Sequence, residues 1–478
     1  MHSGRTAVEL FETQRAAVRG EKPAAASVRI DRIERALGLL LANQAELCAA
    51  AAADFGRRPV TTTQLLDIFP AVLELKGARR NVSGWMRPRR PRLRLPIGVP
   101  GARGEILYQP LGVVGVISPW NFPVNLTFGP LAGILAAGNR CLIKLPEATP
   151  RTSELLQQLI TRHFAPDEVA AVTGGADVGA AFSRLSFDHL VFTGSTSVGR
   201  RVMAAAADNL VPVTLELGGK SPVVLGRSAD VRRAVDRLLL GKLANAGQMC
   251  LAPDYVCVPR ESLQAFVQSA RQWVARAYPD LPNNPDYTSL IDERHWHRAE
   301  ELLADAESRG AQVLRLGEQQ PTAAMSEAKP PRFMAPTLIL KVSEQMRVMQ
   351  EEIFAPLLPV LPYEGIHEAI DVINRRPAPL ALYYFGHDRT EEAELLARTR
   401  SGGVTVNDVA MHFMADELPF GGVGASGMGA YHGEHGFRRF SHARAVFRQS
   451  RLDVSRLLGL CPPYGARVAR SLRLLIRR

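Results

Sequence analysis

Of the chain's five cysteines, Cys250 is the one set where a thiol can meet a substrate. It lies in G-Q-M-C-L-A-P-D-Y-V, Gly247 to Val256, a turn bounded by glycine and proline that follows an amphipathic helical stretch. A thiol presented in this way can add to a carbonyl and be left carrying an acyl group. A lone cysteine is more commonly a small buried hydrophobe, so other residues have to decide between the two readings.

Hydrolysis of a thioester needs a base that activates water. Glu216, in P-V-T-L-E-L-G-G-K-S-P (Pro212 to Pro222), ends an apolar strand and runs straight into a Gly-Gly turn. Open α/β sheets place their active sites at that end of a strand, although an exposed strand-end glutamate is the plainer alternative. A developing oxyanion needs a fixed donor. In S-P-W-N-F-P, Ser118 to Pro123, two prolines pin the loop that carries Asn121, whose amide could serve as that donor or could cap the helix that follows.

Three further segments suit a dinucleotide. F-T-G-S-T-S-V-G-R, Phe192 to Arg200, joins a strand to a helix. Its Gly194 and Gly199, set among small hydroxyl residues including Ser195, let backbone N–H groups and a helix N-terminus meet a phosphate. The spacing departs from G-x-G-x-x-G, so the order of strand, glycine turn and helix carries the reading. Lys144 and Glu147 in L-I-K-L-P-E could bind ribose hydroxyls or form a surface ion pair. The same alternatives hold for Glu352 in Q-E-E-I-F-A-P, Gln350 to Pro356.

The elements that must position these groups follow from the apolar patterning. Residues 1 to 84 read as amphipathic helices, closed by a Pro/Arg linker from Trp85 to Leu95. From Tyr108 onward, apolar β-type runs alternate with helical runs, the pattern of a parallel sheet with helices on both faces. A second alternating block runs from Pro222 to about Arg400, with turn-rich breaks at Pro279 to Pro285 and Gly317 to Pro331. Glycines crowd Leu418 to Gly433 too densely for regular helix or strand.

A chain of 478 residues exceeds a single core, so two or three domains enclosing a cleft are expected. Its 46% hydrophobic and 22% charged content is that of a folded protein and argues against disorder. The cysteines are odd in number, scattered and never at metal-ligand spacing, which points to a reducing compartment with neither disulfides nor zinc. The N-terminus has acidic residues where a secretory signal would be apolar, and no run reaches the roughly 18 apolar residues of a membrane span. A soluble, cytoplasmic protein is expected. The net charge of +11 raises the question of anionic partners, since arginines concentrate in the linker and in Ala466 to Arg478. Proline-interrupted arginines usually mark a solvated linker. The tail has helical apolar spacing and could lie on a membrane, although docking on the protein's own body is the commoner fate.

Taken together and in this order, the segments resemble the aldehyde dehydrogenase superfamily from about Glu105 to Arg448. The class three branch is the nearest in look, through P-W-N-F-P-V-N-L-T-F-G-P-L-A-G-I-L-A-A-G-N and L-P-F-G-G-V-G-A-S-G-M-G-A-Y-H-G. M-R-V-M-Q-E-E-I-F, L-A-L-Y-Y-F and P-P-Y-G are similar to coniferyl aldehyde dehydrogenases. The resemblance implies an α/β fold with a Rossmann-type NAD-binding domain (residues 1–216, with 92–107 lent to a bridging element) and an α/β catalytic domain (217–410). Residues 411–478 then form a β bridging and oligomerisation segment with a basic tail.

The resemblance also implies roles. Cys250 becomes the nucleophile, Asn121 with the Cys250 N–H the oxyanion hole, and Glu216 the deacylating base. Lys144 and Glu147 fall at the adenosine ribose, Ser195 at the pyrophosphate, and Glu352 with Phe354 at the nicotinamide ribose and ring. No metal is implied; the cofactor is NAD, with NADP also open, and the assembly a homodimer. Family members usually have glycine at Ala355 and often threonine at Met249, which puts cofactor placement and acyl-pocket shape in question. Coniferyl or another aromatic aldehyde is the first substrate reading, and medium or long-chain aliphatic aldehydes the second. Acyl transfer to coenzyme A would not need Glu216. An inactive scaffold that binds nucleic acid or membrane would not need Cys250, Glu216 and Asn121 together.

Overall fold

The computed structural model describes residues 5–20, 22–94, 97–98, 100–317 and 332–476. The break expected at Gly317 to Pro331 therefore lies, beyond Gly317, outside the described residues.

The helical reading of the N-terminal section holds through Trp85, with helices at Ala7–Val18, Ala26–Ala42, Gln44–Phe55 and Phe69–Trp85. Apolar spacing makes them: Ile33, Ala36, Leu37 and Leu40 share one face of the second, and Val72, Leu75, Ala78 and Val82 one face of the last. Both pack on Asn125–Ala137, a helix buried at every position and apolar on all sides. It ends at Gly138, whose φ of 87° suits glycine; the Arg29 guanidinium stands 2.7 Å from where a Cβ would be.

That helix covers a six-stranded sheet ordered Gly427–Met428, Val213–Glu216, His189–Thr193, Val113–Ile117, Arg140–Lys144, Val169–Val172. The last five are parallel, and the chain reverses its direction of winding between Val113–Ile117 and His189–Thr193. Such a switch point opens a crevice beyond the strands' carboxyl ends. Register aligns those ends, Ile117 beside both Lys144 and Phe192, and Thr193 beside Glu216. The glycine-rich stretch is irregular except at Gly427 and Met428, which pair antiparallel with Leu215 and Glu216. Glycine makes that pairing feasible, because a Cβ at Gly427 would come 2.1 Å from the Leu215 carbonyl oxygen.

A seven-stranded sheet follows, ordered Gly403–Val406, Ala381–Phe385, Pro222–Leu225, Tyr255–Pro259, Leu357–Tyr363, Thr337–Leu340, Gln312–Arg315, with only the last strand antiparallel. One apolar core joins the two sheets, running from Val114, Ile143 and Val191 to Val223, Val256 and Val360. A separate ribbon pairs Arg103–Pro110 antiparallel with Ser441–Arg448, and neither strand has a buried residue.

Among the described residues no single helix is long and apolar enough to cross a membrane. Ala26–Ala42 and Gln44–Phe55 reach that length only jointly, meet at 66°, and place Leu39, Leu40 and Leu47 in the core. The basic tail does not dock on the body as expected: no described residue beyond Ser450 is buried.

Candidate active site

Cys250 is delivered by a sharply wound turn. Helix Val231–Leu243 gives way to Asn245, Ala246 and Gly247, all left-handed at φ 49°, 54° and 76°. Two of the three are not glycine, a strain of about 1–3 kcal/mol each that surrounding bonds must hold. The Gln248 side chain supplies them, its Nε2 donating to the carbonyls of Asn245 (2.9 Å) and Ser289 (3.2 Å) and its Oε1 accepting from the Ile291 N–H (2.9 Å). Gly247 is required, since a Cβ there would lie 2.4 Å from the Ala355 carbonyl oxygen.

Asn121 reaches the same turn, its Nδ2 donating to the Gln248 carbonyl at 3.1 Å. It does not cap the following helix, which begins four residues later. Asp67 does so instead, accepting from the N–H groups of Val124 (3.0 Å) and Asn125 (2.7 Å). Asp67 faces Arg58 at 3.5 Å, and Arg58 donates to the Asn121 carbonyl at 3.0 Å. Burial lifts the Asp67 carboxyl to about 6, against the pull of Arg58. This buried pair fixes the Asn121 loop, and sequence reasoning missed it because neither partner lies near Asn121 in the chain.

Glu216 ends its strand fully buried, and neither carboxylate oxygen has a hydrogen-bond partner of good geometry. Burial pushes its pKa up to about 7; the nearby Cys250 thiol, Thr193 hydroxyl and His432 hold it from rising further. Solvent grazes Cys250, but protein encloses the sulfur, and burial followed by the Glu216 charge pushes the thiol well above its ordinary value. Thiol and carboxyl thus compete for one negative charge. Tyr431 and His432 close the site from behind, with His432 Nδ1 3.0 Å from Glu74 Oε1.

Glu352 stands over the Gly-Gly turn, so close that a Cβ on Gly218 would come 2.1 Å from Oε2. Burial and then the Asp254 carboxylate push its carboxyl up to about 8. Buried Lys220 pairs with Asp254 and donates to the carbonyls of Val348 (2.6 Å) and Glu351 (2.9 Å), while Asp254 Oδ1 accepts from the Ile353 N–H at 2.9 Å. One ion pair therefore ties the Gly-Gly turn, the cysteine turn and the Glu352 loop together. Phe354 takes φ 52°, and its ring meets Trp120 edge to face at 5.5 Å, with Trp120 also against His295 at 4.8 Å. Ala355 is 1% exposed with its methyl in the second sheet's core, so it does not intrude on this space. Met249 is half-buried beside Cys250.

Along the carboxyl edge of the first sheet, buried Lys144 ion-pairs with the exposed Glu147. Burial raises the Glu147 carboxyl, but the Lys144 ammonium, the Glu147 backbone N–H and Arg294 together reverse this, and its net pKa falls. Ser195 caps helix Thr196–Ala207, accepting from the Val198 N–H at 3.4 Å, and together with Ser197 faces solvent. Gly199 is buried, and a Cβ on it would come 2.7 Å from Leu217, so it lets the helix pack tightly beside the strand that bears Glu216. Among the described residues no cluster of His, Cys, Asp or Glu could hold a metal ion.

A Rossmann-like sheet with a switch-point crevice, beside a second α/β unit and with a thiol near a buried carboxyl, is the architecture of a dinucleotide-dependent enzyme. The chain belongs to the aldehyde dehydrogenase family, whose model matches residues 5–446. It is 51% identical over 454 residues to the coniferyl aldehyde dehydrogenase of Pseudomonas sp. strain HR199, covering 95% of this chain and 93% of that one. The substrate-bound AldH structure of Staphylococcus aureus superposes with a TM-score of 0.91 at 31% identity, covering 99% and 100% of the two chains. The P. syringae indole-3-acetaldehyde dehydrogenase AldA, solved with NAD+, gives 0.81 at 26% identity over 92% and 88%. This chain is accordingly an NAD(P)-dependent enzyme that oxidises an aldehyde to the acid. Residues suited to a dinucleotide are present: a solvent-open helix N-terminus carrying Ser195 and Ser197, a Lys–Glu pair at a strand end of the same sheet, and the Glu352 carboxyl over the Gly-Gly turn.

Proposed function

We propose that the substrate is coniferyl aldehyde or a related aromatic aldehyde, oxidised through a thioester on Cys250. The observation that carries the mechanism is the unpartnered, buried Glu216 carboxyl against the Cys250 thiol. Cys250 releases its proton to solvent and its sulfur bonds to the carbonyl carbon, whose C=O π bond opens to an oxyanion held by the Asn121 amide and the Cys250 N–H. When bound, the dinucleotide supplies the acceptor for the hydride that leaves this carbon. Lys144 and Glu147 would hold its adenosine ribose, Gly194 and Ser195 its pyrophosphate, and Glu352 with Phe354 its nicotinamide end. Gly199 would serve by seating the helix rather than by touching the ligand. Glu216 then takes a proton from water, whose oxygen attacks the thioester and releases the acid and the free thiol.

Half-buried Trp120, Phe354 and His295 offer flat surfaces beside Asn121, which supports an aromatic substrate, as does the name of the Pseudomonas relative. An ionised Glu147 suits the free hydroxyls of NAD better than a 2'-phosphate. The presence of Glu216 favours free acid over acyl transfer to coenzyme A. A panel of aromatic and aliphatic aldehydes assayed with NAD and with NADP, with Cys250→Ala as the control, tests the reading. The highest kcat/KM is expected for coniferyl aldehyde with NAD, and equal or better turnover of long aliphatic aldehydes would overturn the aromatic assignment.

A further inference from the structure

Beyond Asp453 the chain carries six arginines, Arg456, Arg467, Arg470, Arg473, Arg477 and Arg478, and no acidic residue. Within this stretch Ala466–Leu475 forms a helix with no buried residue. Among the described residues its side-chain hydrogen bonding outside the helix is local, the Ser471 hydroxyl donating to the Leu458 carbonyl at 2.8 Å. At 100° per residue, Val468, Leu472 and Leu475 fall on one side and Arg467, Arg470 and Arg473, with Leu474 among them, on the other. The apolar side stays open, with Leu472 41% exposed, Leu475 45%, and Ile476 just beyond the helix 75%. A helix of ten residues is too short to hold itself together in water, so a partner must stabilise it.

We infer that this helix lies in the surface of an anionic lipid bilayer, with Val468, Leu472 and Leu475 among the acyl chains and its arginines at the headgroups. Charge decides between the occupants. A second copy of this chain brings a net charge of +11, which opposes a segment whose charged side chains are all arginines, whereas acidic headgroups attract it. A nucleic acid would satisfy the arginines and leave the leucine side in water, which a bilayer does not. The helix holds to the surface without crossing it, because ten residues rise only about 15 Å against a hydrocarbon core of about 30 Å. The enzyme would then work beside membranes, the place where sparingly soluble aldehydes collect.

Sedimentation of the full chain with extruded vesicles tests it, comparing phosphatidylcholine alone with phosphatidylcholine containing phosphatidylglycerol. Binding is expected only to the anionic vesicles. It should fall by about tenfold or more in high salt, in Arg470→Gln/Arg473→Gln, and in Leu472→Glu/Ile476→Glu. Oxidation of a water-soluble aldehyde should stay at the parent rate in both variants, which shows that they are folded. Failure of the parent to sediment, or equal sedimentation of the Leu472→Glu/Ile476→Glu variant, would overturn the inference. So would a change in native mass of that variant without lipid binding, which would assign the face to a second copy. Duplex DNA binding that needs the arginines and ignores the leucines would assign it to nucleic acid.

Discussion

Glu216 is placed where a protein has no structural reason to keep a carboxyl, buried with both oxygens lacking partners. The strain has a use if the group must take a proton from water near neutral pH. A base has to be unprotonated, so with a pKa of about 7 a deacylation-limited kcat should fall nearly tenfold per pH unit below that value. A pH–rate profile reads this directly. Folding is linked to the same proton. Because the folded-state pKa is raised, the neutral carboxyl favours the fold at acid pH, and that contribution is lost as pH rises through about 7. Glu216→Gln should therefore raise Tm relative to the parent at pH 8 and leave it nearly unchanged at pH 4. Thermal melts at the two pH values check the sign.

At the scale of elements, the site is a meeting of loops, each fixed from a distance. The turn before Cys250 was legible as a break between glycine and proline, but Asn245 and Ala246 give no sign in sequence of left-handed backbone. Long-range bonds of Gln248 and Asn121, spanning 41 and 127 residues, help that conformation hold. Gly247→Ala should displace the cysteine and lower kcat by at least about tenfold while costing about 1–3 kcal/mol of stability, measured by steady-state kinetics and denaturant unfolding. The strand ends carrying Glu216 and Lys144 were readable because apolar β runs stop there at a charged residue. The Arg58–Asp67 and Lys220–Asp254 pairs were not, since their partners meet only when separate elements pack. Glu168 shows the same remoteness. Burial would raise its pKa, yet Arg35 and Arg32, at 2.8 and 3.0 Å, bring it down to about 2 and fasten helix Ala26–Ala42 to the sheet. Its stabilising contribution is complete above the unfolded carboxyl pKa of about 4.3 and fades as pH falls toward 2. Glu168→Gln should cost about 1–2 kcal/mol at pH 7 and much less near pH 3, read from urea midpoints.

Over the whole molecule, alternation of β and helical runs gave the two-sheet α/β plan, and the family resemblance supplied the division at residues 216, 217 and 410. The antiparallel insertion of Gly427–Met428 beside Glu216 could not be read from a stretch of glycines, because backbone contact at the first sheet's edge determines it. The ribbon of Arg103–Pro110 and Ser441–Arg448 buries none of its residues, and a two-stranded ribbon of this kind is marginal by itself. We expect a second protomer to cover it, so light scattering should report twice the chain mass, and Ile106→Arg/Phe447→Arg should shift it toward monomer. The most direct test of catalysis is Glu216→Gln mixed rapidly with coniferyl aldehyde and NAD. A burst of NADH equal to the enzyme concentration should appear, turnover should drop by about 10²–10⁴-fold, and the Cys250 peptide should carry the mass of the acyl group. Loss of burst and turnover in equal measure, with Cys250 unmodified, would contradict this mechanism.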